Sequence, residues 1–232
     1  MKSFPFACLL LFLLFSCEKE QESPQPLEFT FDFDQSTEGW SGDFADYPLG
    51  EEVFYELQFG HSVLPQPLDQ NQKSLKLSGS NRSDDLFMFL KKEITGLEPN
   101  QSYEVRIDIE LASDAPTNAV GIGGPPAESV YLKTGISLIE PSKRLDFGYY
   151  LMNIDKGNQS QSGQDMEVIG HVGVADNTTE FTLINRSNAS APFSFQTDDT
   201  GKAWICIGTD SGFEGITTLY YNRIDIEFKQ VN

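Results

Sequence analysis

The side chains best suited to proton transfer or metal ligation are scarce. The chain has 2 histidines, His61 and His171, each beside a glycine at the end of an apolar run. Combined with Asp84 or Asp85 they could form an acid–base or metal-binding group; as separate loop residues they would do neither. Of the 3 cysteines, Cys206 lies in Ala203-Trp204-Ile205-Cys206-Ile207, an apolar run in which a thiol is buried and inert. The same run assigns Trp204 to a core. The chain lacks a Gly-x-Ser-x-Gly elbow, a His-Glu-x-x-His pair, a Walker loop and a Cys-x-x-Cys pair. Gly121-Ile122-Gly123-Gly124 lacks the strand-to-helix setting of a phosphate loop, and Pro125-Pro126 makes it a turn. Two placed carboxylates suffice for glycoside hydrolysis. Among 35 acidic residues such pairs arise by number alone, so they assign no reaction.

The elements that must position these residues are strands. Leu27, Phe29, Phe31 and Phe33 alternate with Glu28, Thr30, Asp32 and Asp34. Over 102–111 the apolar face is Tyr103, Val105, Ile107, Ile109 and Leu111, and the polar face is Ser102, Glu104, Arg106, Asp108 and Glu110. Ile224, Ile226 and Phe228 alternate with Arg223, Asp225, Glu227 and Lys229. A period of two puts one face on a core and the other in water. Further strands are expected at 52–59, 85–93, 129–139, 143–151, 166–172, 179–185, 193–197 and 202–208. No window shows a capped amphipathic helix. Many short strands divided by turns predict an all-β fold, a jelly-roll β-sandwich. The stretches 35–50, 112–128 and 153–164 lack periodicity and are expected as long surface loops, where binding residues gather.

The N-terminus has a different character. Lys2 precedes an unbroken apolar run, Phe6 to Phe15, of signal-peptide length and too short to span a bilayer. Leu14-Phe15-Ser16-Cys17 resembles the lipobox of bacterial lipoproteins. The resemblance implies cleavage before Cys17, diacylglycerol on its sulfur and acylation, such as palmitate, on the new amino group. Several acyl chains anchor stably where one does not. Residues 1–16 are then the signal peptide, 17–26 a polar, proline-punctuated tether, and 27–232 a single domain. Acidic residues after Cys17 resemble a surface-export signal of some Gram-negative bacteria, which implies an outer-membrane, cell-surface location. Loss of residues 1–16 removes one basic residue of 16 and none of the 35 acidic ones, giving a formal charge of −20. That field repels nucleic acid and anionic headgroups. Cys206 is then the remaining thiol besides the lipidated one, so no intrachain disulfide is expected.

A second resemblance concerns the domain. Phe31-Asp32-Phe33-Asp34 followed by Glu38-Gly39-Trp40, Gly96-Leu97-Glu98-Pro99 leading to Tyr103-Glu104-Val105, and the closing Tyr220-Tyr221-Asn222-Arg223-Ile224-Asp225 together resemble jelly-roll, galactose-binding-like carbohydrate-binding modules. The resemblance implies a structural calcium joining the first strand to the last through Asp34 and Asp225; the alternative is two solvated carboxylates. It also implies a noncatalytic polysaccharide-binding role. Aromatic rings in polar loops offer flat apolar faces to sugar C–H groups. Trp40, Tyr47, Tyr149 and Tyr150 are the candidates, although Trp40 could equally plug one end of the core. An adhesive protein making protein contacts and a carbohydrate-active enzyme remain as alternatives.

Overall fold

The structure, a computed structural model, describes residues 25–83, 85–175 and 178–231. The signal segment, Cys17 and Asp84 lie outside the described residues. The strands in chain order are β1 (Leu27–Asp32), β2 (Ser41–Ala45), β3 (Tyr47–Pro48), β4 (Gln58–Val63), β5 (Lys73–Ser80), β6 (Leu86–Thr95), β7 (Ser102–Ser113) and β8 (Val130–Ser137). They continue with β9 (Lys143–Asp146), β10 (Tyr149–Met152), β11 (Met166–His171), β12 (Thr182–Ser187), β13 (Phe193–Gln196), β14 (Lys202–Ser211) and β15 (Ile216–Val231).

Two antiparallel sheets face each other in a jelly-roll β-sandwich, as the alternation predicts. One has seven strands in the order β12-β7-β15-β5-β4, with β1 added to β15 and β13 to β7. The long strands explain the extra members. β15 pairs β5 through Ile216 to Tyr221 and β1 through Arg223 to Phe228, and its pairing with β7 shifts register between Tyr221 and Arg223. The second sheet has five strands, β11-β8-β14-β6-β2. Between them lies the main core, with Tyr103, Val105, Ile107, Ile109, Leu111, Ile224, Ile226 and Phe228 facing Leu86, Met88, Leu90, Ile205 and Ile207. Each such side chain contributes roughly 1.5–3 kcal/mol on burial.

A third layer covers part of the five-stranded sheet. β6 is apolar on both faces: Phe87 and Phe89 point away from the main core and pack with Ala45, Met152, Ile154, Met166 and Cys206. The cover is the segment 138–166, whose hairpin β9–β10 joins β3 in a three-stranded sheet. Gly135 on β8 permits the close approach, since a Cβ there would lie 2.2 Å from the Asp165 carbonyl oxygen.

Several local expectations change. The stretch 35–50 contains β2 and β3, divided by Asp46 at φ 63°. Turns occupy most of 52–59, where the Tyr55 amide donates to the Glu51 carbonyl at 2.9 Å and Glu56 takes φ 53°. The stretch 143–151 folds back as a hairpin at Phe147 and Gly148, with φ 45° and 86°. Trp204 leaves the core as well: on β14 it alternates with the inward Ala203 and Ile205, so its half-buried ring lies on the outer face. Cys206 is buried as expected, and burial pushes its thiol up.

Candidate functional site

The outer face of the five-stranded sheet carries a buried group of charges. Asp210 follows Cys206 and Gly208 at alternate positions of β14, and Lys133 projects from the neighbouring β8; both side chains are fully buried. Asp85 stands just before β6, Asp46 between β2 and β3, and Lys156 on the covering segment. Three acids and two bases thus come from five separate parts of the chain.

Asp210 is the hub. Its Oδ2 accepts from Lys133 Nζ, Lys156 Nζ and the backbone N–H of Gln159, each at 2.8 Å. Lys133 also donates to the carbonyls of Lys156 at 2.8 Å and Gln161 at 3.0 Å. Lys156 reaches Asp46 Oδ2 at 2.9 Å, without hydrogen-bond alignment, and lies over the Phe87 ring, 5.1 Å from its centre. These contacts fasten the cover to the sheet.

The electrostatics divide the acids. Burial raises Asp46. Burial also opposes ionisation of Asp210, but the ammonium groups of Lys156 and Lys133 outweigh it and hold this carboxyl below its ordinary range. Asp85 is pushed up to about 8, first by burial and then by the charges of Asp46 and Asp210, against the pull of Lys156. Asp85 Oδ1 and Asp210 Oδ1 are buried without another hydrogen-bond partner. A proton on Asp85 donated to Asp210 satisfies both atoms and brings the group to neutrality. Burial lowers Lys133, whereas Asp210 and Asp46 raise Lys156 despite its burial.

Asp46, Asp85 and Asp210 place carboxylate oxygens within 4.8 Å of one another, a spacing at which one metal ion could be held. Here two lysine ammonium groups already supply positive charge. The expected calcium pair does not assemble. Asp225 pairs in register with Thr30, four residues before Asp34; at ~3.3 Å per residue this is roughly 13 Å along the chain, beyond the 2.3–2.6 Å bonds of a shared calcium. Asp225 accepts instead from Thr30 at 2.6 Å and from Arg223 at 2.7 and 3.0 Å, while Asp34 accepts from the Lys73 amide at 3.2 Å.

The charge group opens to a cavity of about 250 Å³ lined by Asp46, Asp85, Arg144, Asp155, Lys156 and Asn158, with Leu151, Met152 and Ile154 as its apolar wall. Hairpin register places Tyr149 opposite Asp146 and Leu151 opposite Arg144. Residues paired across strands, and alternate residues along one, share a face. Tyr149, 47% exposed, therefore shares a hairpin face with Arg144 and Leu151, while Met152 reaches the cavity from the opposite face. At the tip, Phe147 is fully exposed in left-handed backbone, a conformation that costs a non-glycine residue roughly 1–2 kcal/mol.

The other expected aromatics lie elsewhere. Trp40 is 2% exposed and meets Phe31 edge-on at 5.5 Å, so it plugs the core. Tyr47 is buried against Tyr55 and Tyr150, and its hydroxyl accepts from Lys143 at 3.0 Å. Neither ring offers a face to solvent, which corrects their assignment as platforms. Tyr150 is partly buried, with Lys143 Nζ 4.9 Å from its ring centre. Tyr149 keeps the exposed surface a platform requires. His61 and His171 sit on β4 and β11, edge strands of different sheets, and do not combine; His61 bonds the Phe33 carbonyl and His171 accepts from the Gly173 amide. Sequence reasoning missed Asp46, Lys133, Lys156 and Asp210. Their only local signal is a charge interrupting an apolar strand, as at Asp210 and Lys133.

No family model matches the chain, and no curated protein matches it. Solved structures with partial likeness include the CBM22-1 xylan-binding domain of Paenibacillus barcinonensis, at 11% identity and TM-score 0.37, covering 88% of this chain and 94% of that one. A candidate sugar-binding protein of Bacteroides thetaiotaomicron aligns at 12% identity and TM-score 0.40, covering 86% and 92%. A C-terminal family 22 carbohydrate-binding module of Clostridium thermocellum aligns at 13% identity and TM-score 0.36, covering 88% and 92%. Overlaps of this size place the chain in no family. Among the described residues, no helix is long and apolar enough to cross a membrane.

Proposed function

We propose that the chain is a lipid-anchored, noncatalytic glycan-binding protein whose binding site is the cavity beside the hairpin β9–β10. The observation that carries the reading is Tyr149, exposed on the hairpin face it shares with Arg144 and Leu151, next to a cavity lined by carboxyl, guanidinium, ammonium and amide groups. An aromatic face suits the C–H surface of a pyranose, and the polar groups suit its hydroxyls.

The topology supports this placement. β1 begins opposite Phe228, towards the end of the sandwich that holds Ser102 and Val231. The β6–β7 connection and Lys202 are at that same end. Asp210 lies eight residues along β14 from Lys202, roughly 26 Å at ~3.3 Å per residue. A tether of residues 17–26, anchored through acylated Cys17, would hold the cavity on the side away from the membrane. An outer-membrane, cell-surface location fits such a capture role.

The test is a glycan array with the full-length chain in detergent, followed by titration of each hit against Tyr149→Ala. Binding lost in Tyr149→Ala with an unchanged thermal midpoint supports the cavity; binding retained at full strength removes it. Release of shorter products from a bound glycan would replace the noncatalytic reading. Membrane fractionation of Cys17→Ala addresses the anchor, which falls if the variant still partitions with membranes. Protease shaving of intact cells addresses exposure.

A further inference from the structure

Resting on that reading and sharpening it, we infer that the cavity takes neutral or amine-bearing sugars and excludes uronic acids. The argument begins with the cations. A carboxylate ligand is held most strongly by a guanidinium or ammonium group free to receive it. Lys156 is committed to Asp210 at 2.8 Å and Asp46 at 2.9 Å. Lys133, behind it, spends its donors on Asp210 and two backbone carbonyls. Arg144 pairs with Asp146 at 3.0 Å, and its side chain is 56% exposed, so water weakens whatever attraction it adds.

The acids hold the opposite position. Asp46 is 8% exposed and borders the cavity; its Oδ2 is buried and has an ionic contact with Lys156. Asp155 accepts from the amides of Gly157 and Gln164 at 3.0 and 3.1 Å and stands exposed at the rim, where these bonds keep it ionised. Acceptor capacity thus exceeds free positive charge around the cavity. Hydroxyl and amine hydrogens meet an acceptor in the exposed Asp155 carboxylate. A uronate meets the negative charges of Asp155 and Asp46, and the exposed cation there, Arg144, is already paired with Asp146. Asn158 adds an uncharged amide that serves a neutral ligand equally well.

The experiment is calorimetric titration of the full-length chain in detergent, near neutral pH and at low salt, with three sets of oligosaccharides of matched length. One set is neutral (gluco-, xylo-, manno- and galacto-oligomers), one is de-N-acetylated chitosan, and one is galacturonate and alginate. The expected result is measurable binding in the first two sets and at least tenfold weaker binding of uronates. In Asp155→Asn, which removes the rim charge, the neutral-to-uronate ratio narrows; an unchanged ratio counts against the charge argument. Uronate binding as tight as neutral binding overturns the inference and leaves glycan binding standing. Tight uronate binding that Arg144→Gln abolishes overturns it too, by showing Arg144 to be a working anion receptor. Binding in none of the three sets overturns both the inference and the glycan reading.

Discussion

The two sheets of this sandwich treat their outer faces in opposite ways. The seven-stranded sheet turns Glu104, Arg106, Asp108, Arg223, Asp225 and Glu227 to water, with ion pairs such as Arg106–Asp108 and Arg223–Asp225 lying open to solvent. The five-stranded sheet turns Phe87, Phe89, Cys206, Lys133 and Asp210 outward and buries them under the segment 138–166. Both faces carry ion pairs at 2.7–2.8 Å. Their distances match but their consequences differ, because water screens the first, whereas both side chains of the Lys133–Asp210 pair are fully buried.

The largest difference should appear when one hub acid is removed from each face. Asp210→Ala leaves Lys133 and Lys156 without their shared carboxylate, and about 3–5 kcal/mol of stability should be lost. Urea denaturation measures it, and a loss under 1 kcal/mol would mean that the buried group does not hold the cover. The cover should also respond to pH through Asp85. Its folded-state pKa is raised to about 8 from 3.8, so between these values the folded chain binds the extra proton. Stability is then fully present below pH 3.8 and lost as pH rises through 8, on the order of 3 kcal/mol for this partly accessible group. Asp46, also raised, acts in the same direction. Denaturation at pH 5 and pH 9 should show a wild-type loss that Asp85→Asn largely removes; equal slopes in the two proteins would show that Asp85 does not hold the proton.

Steric fit of the cover gives a smaller effect. In Gly135→Ala the new methyl meets the Asp165 carbonyl 2.2 Å away, and the forced shift should cost about 1–3 kcal/mol. Hydrogen exchange of the amides in 138–166 should quicken more than that of β7. The smallest change belongs to the solvated face. Asp225→Ala removes bonds from Arg223 and Thr30, yet it should lower stability by less than about 1 kcal/mol. Its thermal midpoint, with and without calcium, should stay within a degree or two of the parent's. A calcium-dependent rise in the parent that Asp225→Ala abolished would restore the ion-bridge expectation that register argues against.

Sequence legibility followed the same division. β7 and β15 alternate because one face meets hydrocarbon and the other meets water, and the boundary is written in every second residue. β6, by contrast, is apolar on both faces, and a continuous apolar run does not say what covers either side. Tyr149 and Tyr47 were equivalent as aromatics near polar loops. Their fates diverged because β3 packs Tyr47 against Tyr55 and Tyr150, whereas hairpin register turns Tyr149 outward. Trp204 was misplaced for a related reason: in a run apolar at every position, alternation carries no information about which residues face the core.

The sequence by itself determined the all-β class, the solvated face, the buried thiol and the acidic character, since these follow from residue type and a period of two within single strands. Only the tertiary structure decided that Asp46, Asp85, Lys133, Lys156 and Asp210 form one charge group, and that Asp34 and Asp225 do not meet. Those outcomes depend on strand register and on a cover folding back over the sheet. A carboxylate's local sequence records its own charge. Whether that charge faces water, a lysine or another acid is set by residues as many as 164 positions apart, as Asp46 and Asp210 are.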